Sequence, residues 1–356
     1  MKSKQKKVFV GLSGGVDSSV AAFLLKKQGF DVVGVFIKAW YPDFIPCSWR
    51  EEMRDAMRIC AKLGIPFRLL DAEKEYKKKV IDYMITEYSI GKTPNPDVMC
   101  NKKIKFKVFL DYANKEGADF IATGHYAQVS EIDGKFALLK SVDTQKDQTY
   151  FLWNLTSKIL SKTLFPIGHL EKKKVRDIAK KNNLLTATKK DSQGLCFIGH
   201  VDMKEFLKKY LKTKSGDVLN VEGEVIGKHQ GAILYTFGER HNFEIFNKNT
   251  NNSALFVVSK DLEKNTITVS PQQDGDRKDQ TKVEKLNWVR EVPQAETLLK
   301  CKIRYRQPDQ SCVIKAFNNN QSELLVTFSE QQIAISLGQS IVFYNNKECI
   351  GGGIFS

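Results

Sequence analysis

The chain has 356 residues, with 56 Lys plus Arg against 41 Asp plus Glu and a net charge of +15, so two or three domains and an attraction to polyanions such as nucleic acid are expected. No apolar stretch approaches the roughly 20 residues of a bilayer span, and the basic Met1–Lys7 runs at once into a core strand pattern, which argues against a membrane partner or export. Seven cysteines, an odd number without a Cys-x-x-Cys pair, argue against a disulfide framework or a zinc site and for reduced thiols in the cytoplasm.

The first element, Val8–Leu12, is an apolar strand that breaks into Ser13-Gly14-Gly15-Val16-Asp17-Ser18 and then into the helical run Ala21–Leu25. Strand, glycine turn and helix make a phosphate site. Gly14 and Gly15 let the backbone come close to an anion, and the free N–H groups of the helix's first turn point at it. Ser13 and Ser18 add hydroxyls, and Asp17 can cap the turn or hold a hydrated magnesium. The loop lacks the Gly-Lys-Ser/Thr end of a Walker loop and the third glycine of the dinucleotide fingerprint. It resembles the pyrophosphate loop of ATP pyrophosphatases, which adenylate a substrate oxygen and release pyrophosphate.

Asp31–Ile37 reads as the next strand, followed by a loop through Trp40, Pro42 and Pro46. Ser48-x-x-Glu51 reads as a capping box opening a helix that Gly64 and Pro66 stop. A strand at Phe67–Leu70, helices near Glu73–Tyr88 and Lys103–Glu116, and a strand at Asp119–Ala122 complete an α/β alternation. It predicts a parallel sheet covered on both faces, with ligands at the carboxyl ends of its strands. After an amphipathic helix at Met203–Leu211 the pattern changes to short β-rich segments: Asp217–Val221, Ala232–Phe237, Leu255–Ser259 and Thr266–Ser270. The hydrophilic Gln272–Lys282 reads as a linker. Strand spacing returns at Cys301–Tyr305, Cys312–Phe317, Glu323–Phe328 and Ser340–Tyr344, predicting a small barrel or sandwich. The expected domains are 1–203, 204–275 and 276–356, an α/β domain followed by two smaller β-rich ones.

Two cysteines stand apart by their neighbours. Cys100 closes Thr93-Pro94-Asn95-Pro96-Asp97-Val98-Met99-Cys100, where the prolines place the thiol on a rigid loop before a basic helix. Lys102, Lys103 and Lys105 and that helix's N-terminus would favour its thiolate. Cys196 lies between Gly194 and Gly199, with lysines upstream. Cys60, Cys301, Cys312 and Cys349 occupy apolar patterns and read as small buried hydrophobes, while Cys47, in a loop without a basic frame, fits either description. His125 reads as a structural hydrogen bonder, a base or an RNA contact. The Lys102–Lys107 and Lys172–Arg176 runs are solvated helix faces or phosphate contacts.

Seven segments stand in the order found in tRNA-specific 2-thiouridylases: Ser13–Ser18, Thr93–Phe106, Ala122–Ala127, Lys146–Leu152, Asp191–Gly199, Arg304–Gln307 and Gly351–Gly353. The chain resembles that family over essentially its whole length. The resemblance implies that Gly11, Leu12, Ser13, Gly14, Gly15, Val16, Asp17 and Ser18, with Ile37 and Gly124, bind ATP with Mg2+. It implies that Cys196 receives a persulfide sulfur from a donor, a cysteine desulfurase or a relay protein, and that Cys100 assists release through a transient disulfide. Asn95, Pro96 and Asp97 correspond to the segment that meets the wobble uridine. His125, Lys146, Asp147, Gln148, Arg304, Tyr305 and Gln339 match positions that touch tRNA. The chemistry is coherent, because the C2 oxygen of uracil leaves poorly until adenylation turns it into AMP, and a persulfide is then a suitable nucleophile. One departure is the run His241–Asn249, where the family usually carries a glycine-rich stretch. The competing readings are an ATP pyrophosphatase acting on a small molecule, which would leave Cys100, Cys196 and the β-rich third unexplained, and a catalytically silent RNA-binding protein.

Overall fold

The computed structural model describes residues 5–45, 49–191, 194–199, 201–246, 254–271, 277–317 and 322–356. Its first sheet contains β1 (Lys7–Gly11), β2 (Asp31–Lys38), β3 (Phe67–Asp71) and β4 (Phe120–Ala122). After a hairpin of β5 (Ala127–Ile132) and β6 (Lys135–Lys140), β7 (Thr163–Leu164) completes it. The order is β3-β2-β1-β4-β7 and every pairing is parallel. Alternate residues of the central strands feed two cores, Phe9, Val33 and Val35 on one face and Val8, Val10 and Val32 on the other. Both faces are therefore covered, as the near-continuous apolar runs require. The chain turns one way from β1 to β2 and the other way to β4, so the loop after β1 opens at a topological switch point.

The helix Trp49–Leu63 buries Ala56, Ile59, Cys60 and Leu63; the Ser48 cap expected for it lies outside the described residues. Where two prolines suggested a rigid loop, the chain is helical from Pro96 onward. Asn95 Oδ1 accepts from the N–H groups of Asp97 (3.1 Å) and Val98 (3.3 Å), and Pro96 takes the first helical position, where its missing N–H costs nothing. The helix Pro96–Cys100 continues through a π-helical stretch, Asn101–Val108, into Phe109–Lys115. Cys100 is thus a buried helical residue rather than a loop thiol.

The second sheet has the order β10-β9-β8-β12-β11, from β8 (Gly216–Leu219), β9 (Val225–His229), β10 (Phe243–Ile245), β11 (Phe256–Asp261) and β12 (Thr266–Ser270). Ala232–Phe237, expected as a strand, instead opens with a 3-10 turn at Ala232–Leu234. Ala232, Leu234 and Tyr235 are buried while the first amide donates to Asn265 Oδ1 (3.0 Å), so the segment is apolar without joining a strand ladder.

The third sheet contains β13 (Lys278–Trp288), β14 (Leu298–Lys302), β15 (Gln310–Phe317), β16 (Glu323–Gln332), β17 (Ser340–Asn345) and β18 (Glu348–Phe355). They pair in the order β13-β16-β15-β14-β17-β18, and β13 also pairs with β18, closing a six-stranded barrel. The expected linker is in part β13. Its charged residues face out while Thr281 and Val283 point in, and residues 272–276 lie outside the described set. The strand expected at Cys301–Tyr305 ends at Lys302. The β5–β6 hairpin leaves the parallel sheet and joins the barrel, with Leu139 opposite Glu348. Tyr150 reinforces that seam, its hydroxyl donating to the carbonyls of Ile303 (3.2 Å) and Ser340 (3.0 Å).

Candidate active site

At the carboxyl end of β1 the backbone is held by its own hydroxyls. Ser13 N donates to Ser18 Oγ (3.2 Å), Ser18 Oγ donates to Gly15 O (3.2 Å), and Ser19 Oγ donates to the same carbonyl (2.7 Å). Gly14 is in the left-handed region at φ +70°, and a Cβ there would lie 2.5 Å from the backbone oxygen of Glu52. Gly124, just past β4, packs so closely that its Cβ would lie 2.6 Å from Ser18 N; only glycine lets β4 pass against the loop. Ile37 sits at the same carboxyl edge, on β2 and buried. The helix Val16–Lys27 has no side-chain cap, so its first amides remain available to an anion. Asp17, expected to cap the turn or hold magnesium, caps nothing and accepts from Tyr126 Oη (2.9 Å) and from Lys172 Nζ (2.8 Å to each oxygen).

Two distant segments bring the thiols together. Cys100 Sγ lies 3.0 Å from Cys196 Sγ, and both are free thiols. Cys196 occupies a tight turn closed by a bridge between Leu195 and Gly199, with Phe197 at φ +67°. Two tyrosines outside every motif, and Asp97 from the Thr93–Phe106 segment, hold that turn. Tyr76 Oη donates to Cys196 O (2.5 Å), Tyr41 Oη donates to Ile198 O (3.2 Å), and Asp97 Oδ1 accepts from Cys196 N (3.2 Å). Lys105 reaches the same cluster, lying 5.6 Å from the Phe197 ring centre, where its cation acts on the Cys196 thiol. It is not a solvated helix lysine.

The sulfurs are electrostatically unlike. The hydrogen bond from Cys100 and the cation of Lys105 hold the Cys196 thiol below its ordinary value against the opposing effect of burial. Burial, and then the bond to Cys196, push Cys100 well up. The expectation of an activated Cys100 thiolate is not met: Lys105 favours the thiolate of both sulfurs, but at Cys100 burial and the bond to Cys196 outweigh it. Burial also raises Asp97, and against its own burial Lys105 is raised by the two sulfurs and by Asp97. Cys60, Cys301, Cys312 and Cys349 are buried, with burial pushing Cys60 up to about 11; Cys47 lies outside the described residues. No group of three His, Cys, Asp or Glu side chains suited to a metal occurs among the described residues.

Comparison with known proteins decides the family. Residues 6–200 match the tRNA methyl transferase HUP domain, 204–271 the tRNA methyl transferase PRC-barrel domain, and 278–355 the aminomethyltransferase beta-barrel domain. The chain is 49% identical over 98% of its length to the tRNA-specific 2-thiouridylase MnmA of Alkaliphilus oremlandii, covering 96% of that protein. It is 45% identical to that of Bacillus subtilis (99% of this chain, 95% of the relative) and 46% to that of Francisella philomiragia (99% of each). The chain belongs to the tRNA-specific 2-thiouridylase family. The domain descriptions speak of methyl transfer, but the full-length relatives are named for thiolation, and identity over nearly the whole chain outweighs a domain label.

The positions that the 2-thiouridylase resemblance connects with RNA divide into two kinds. His125 is buried, bonded through Nδ1 to Thr123 Oγ1 (2.7 Å) and flanked by Phe106 and Phe165; burial and Lys105 hold its pKa well below the ordinary value. Asp147 is also buried, accepting from Ser141 N (3.1 Å) and Thr149 Oγ1 (2.8 Å). Neither side chain faces solvent here, and both are engaged in hydrogen bonds within the fold. Gln148 Oε1 accepts from Tyr126 N (2.9 Å), and Gln339 Nε2 donates to Thr93 O (2.7 Å), tying the barrel to the segment before Pro96. Lys146 pairs with Asp191 (2.8 Å). Arg304 is exposed, and Tyr305 is half-buried with its ring 4.5 Å from that of Phe151. The departing run forms β10 at Phe243–Ile245, and residues 247–253 lie outside the described set. Among the described residues, no helix is long and apolar enough to cross a membrane.

Proposed function

We propose that this chain catalyses ATP-dependent 2-thiolation of the wobble uridine of tRNA. The C2 oxygen of uracil attacks the α-phosphorus of ATP and pyrophosphate leaves. The phosphate loop Gly11–Ser18 holds the triphosphate, and Ile37 and Gly124 lie on the nucleoside side. Asp17 suits Mg2+ that arrives on the nucleotide, since Mg2+ commonly binds through phosphates, water and one or two carboxylates.

Cys196, the sulfur held toward its thiolate, takes the outer sulfur of a donor protein's persulfide, and the donor's cysteine leaves as a thiol. The terminal sulfur of the Cys196 persulfide then attacks C2, and AMP departs with the original oxygen. Cys100 next attacks the Cys196 sulfur, giving its proton to solvent. The bond between Cys196 and the uridine sulfur breaks, releasing 2-thiouridine and leaving a Cys100–Cys196 disulfide for an external dithiol to reduce. Asn95, Pro96 and Asp97, at the head of the Cys100 helix, form the edge against which the base lies. In this reading the 1–203 part carries the chemistry, and the two β-rich parts, 204–275 and 276–356, carry tRNA contacts that include Arg304 and Tyr305.

The observation that carries the reading is the 3.0 Å approach of two free thiols 96 positions apart, of which only one is held toward its thiolate. A small-molecule ATP pyrophosphatase has no use for such a pair. The test is conversion of ATP to AMP with and without tRNA. AMP formation that depends on tRNA is expected. AMP formation indifferent to tRNA would contradict the proposal, as would tRNA binding without ATP turnover.

A further inference from the structure

The Cys196 turn is gripped by its carbonyls as well as by its sulfur. Tyr76, fully buried at the end of the helix Glu73–Tyr76, donates through Oη to Cys196 O (2.5 Å). The next residues, Lys77–Ile81, are π-helical, a form that often marks functional positions, and they pack against the Cys100 helix. The Tyr76 ring also meets Phe197 edge-on, with centroids 5.8 Å apart and planes at 87°. Phe197 is in the left-handed region at φ +67°, which a bulky side chain adopts only where its surroundings enforce it. Tyr41 Oη donates to Ile198 O (3.2 Å), so a tyrosine fixes the carbonyl on each side of the strained residue. Burial, and then Cys100 and Cys196, push the Tyr76 phenol well up, which keeps its hydroxyl a donor at neutral pH.

These bonds belong to the arrangement in which the sulfurs are 3.0 Å apart. A sulfur–sulfur bond is about 2.0 Å long, so the turn is held a small closing movement from the bonded pair. Sulfur loading asks something different of the same turn, because Cys196 must meet a persulfide that arrives from outside and needs no contact with Cys100. A hydrogen bond made in the apposed arrangement favours it over any in which the turn has moved away. Taking away the hydroxyl while keeping the ring leaves Cys196 O without that donor and weakens the preference. A reacting group displaced by about 1 Å can lose rate by about a hundredfold, so the step that joins the two sulfurs is the one most exposed to the change.

We propose that Tyr76, supported by Tyr41, is the positioning residue of the sulfur-release step, holding the Cys196 turn where Cys100 can attack it and taking little part in persulfide loading. The inference rests on the two-thiol reading above and deepens it by assigning residues to one step. In that step the Cys100 thiol gives its proton to solvent and its sulfur bonds to Cys196 Sγ. The bond from Cys196 Sγ to the uridine sulfur breaks, and its electron pair leaves with 2-thiouridine. Slowing this step alone leaves the tRNA joined to Cys196 through the sulfur on C2.

Two measurements on the full chain test this. In glutathione buffers of graded poise, mass spectrometry after alkylation gives the fraction of Cys100–Cys196 disulfide without tRNA, ATP or a sulfur donor. Tyr76→Phe is expected to lower the equilibrium constant for that disulfide by about tenfold, or about 30 mV for a two-electron couple. Tyr41→Phe is expected to lower it less, and it carries the test if Tyr76→Phe fails to fold. In turnover with a persulfide donor, ATP and tRNA, Tyr76→Phe is expected to load Cys196 normally and to accumulate a covalent protein–tRNA adduct on denaturing gels. Dithiothreitol should free 2-thiouridine from the adduct and restore product formation. A general loss of packing would depress loading and release alike and give no adduct. An unshifted disulfide equilibrium in the tyrosine variants, or loading that falls as far as release, would overturn the proposal. Failure of the unaltered protein to form the Cys100–Cys196 disulfide would instead bring down the two-thiol reading, and this inference with it.

Discussion

The hydrogen bonds that shape the phosphate loop join residues three to five positions apart, between Ser13 and Ser19, whereas the thiol pair joins residues 96 apart. The loop needs β1, one helix and the close pass of Gly124. The pair needs the Pro96 helix, the Cys196 turn, and Tyr41, Tyr76 and Asp97 holding the two in contact. A site made locally is lost by damage to one backbone position, while a site made by docking is tuned by neighbours that never react. Activation and sulfur handling should therefore be separable by mutation.

The largest effect that would sharpen this contrast is expected of Gly14→Val. A side chain at φ +70° costs about 1–3 kcal/mol in strain, and its Cβ would fall 2.5 Å from the Glu52 backbone oxygen. AMP formation should be abolished in a tRNA-dependent assay, while Cys196 still accepts persulfide sulfur from a donor. Loss of both together would break the separation.

A smaller effect, on the pair alone, is expected of Lys105→Met. The cation helps hold the Cys196 thiol below its ordinary value, so removing it favours the protonated form. The pH midpoint for alkylation of Cys196, followed by peptide mapping, should move upward, with the rate at neutral pH falling and recovering as pH rises. AMP formation should be little changed. An unmoved midpoint would remove Lys105 from the account.

The smallest effect is expected at the periphery of both regions. If Lys102 and Lys103 neutralise phosphates, their replacement by Ala should flatten the dependence of tRNA affinity on salt by up to about one unit of logarithmic slope for each phosphate left without its lysine. An unchanged slope would return them to the solvated helix face.

How much of this was legible in the sequence follows the same division. The phosphate loop, its flanking strand and helix, and the parallel order were readable because consecutive residues carry them. The barrel was readable as a set of strands, but not its closure or its recruitment of β5 and β6, since Lys135–Lys140 bears no mark of a partner more than 200 residues away. The charged outer face of β13 read as a linker because its inward residues, Thr281 and Val283, are set among charged ones and its apolar Leu286 and Trp288 come only later. At the thiol site, Pro94 and Pro96 pointed to a loop, although Asn95 followed by proline at the first helical position is a helix start. The importance of Cys100 and Cys196 was visible from their neighbours and the family pattern, but not that burial would outweigh Lys105 at Cys100 and not at Cys196. Nothing in the sequence marked Tyr76, Tyr41 or the pairing of Lys172 with Asp17, which depend on packing between distant segments.

The central claim, that the two sulfurs have different jobs, is tested most directly by mass spectrometry of the unaltered protein, Cys100→Ser and Cys196→Ser after loading with a persulfide donor. Nucleoside analysis of tRNA treated with each loaded protein completes the measurement. The account predicts a persulfide on Cys196 in the unaltered protein and in Cys100→Ser, none in Cys196→Ser, and efficient 2-thiouridine formation by the unaltered protein alone. A persulfide on Cys100 in the Cys196→Ser protein, or normal thiolation by either serine variant, would contradict it.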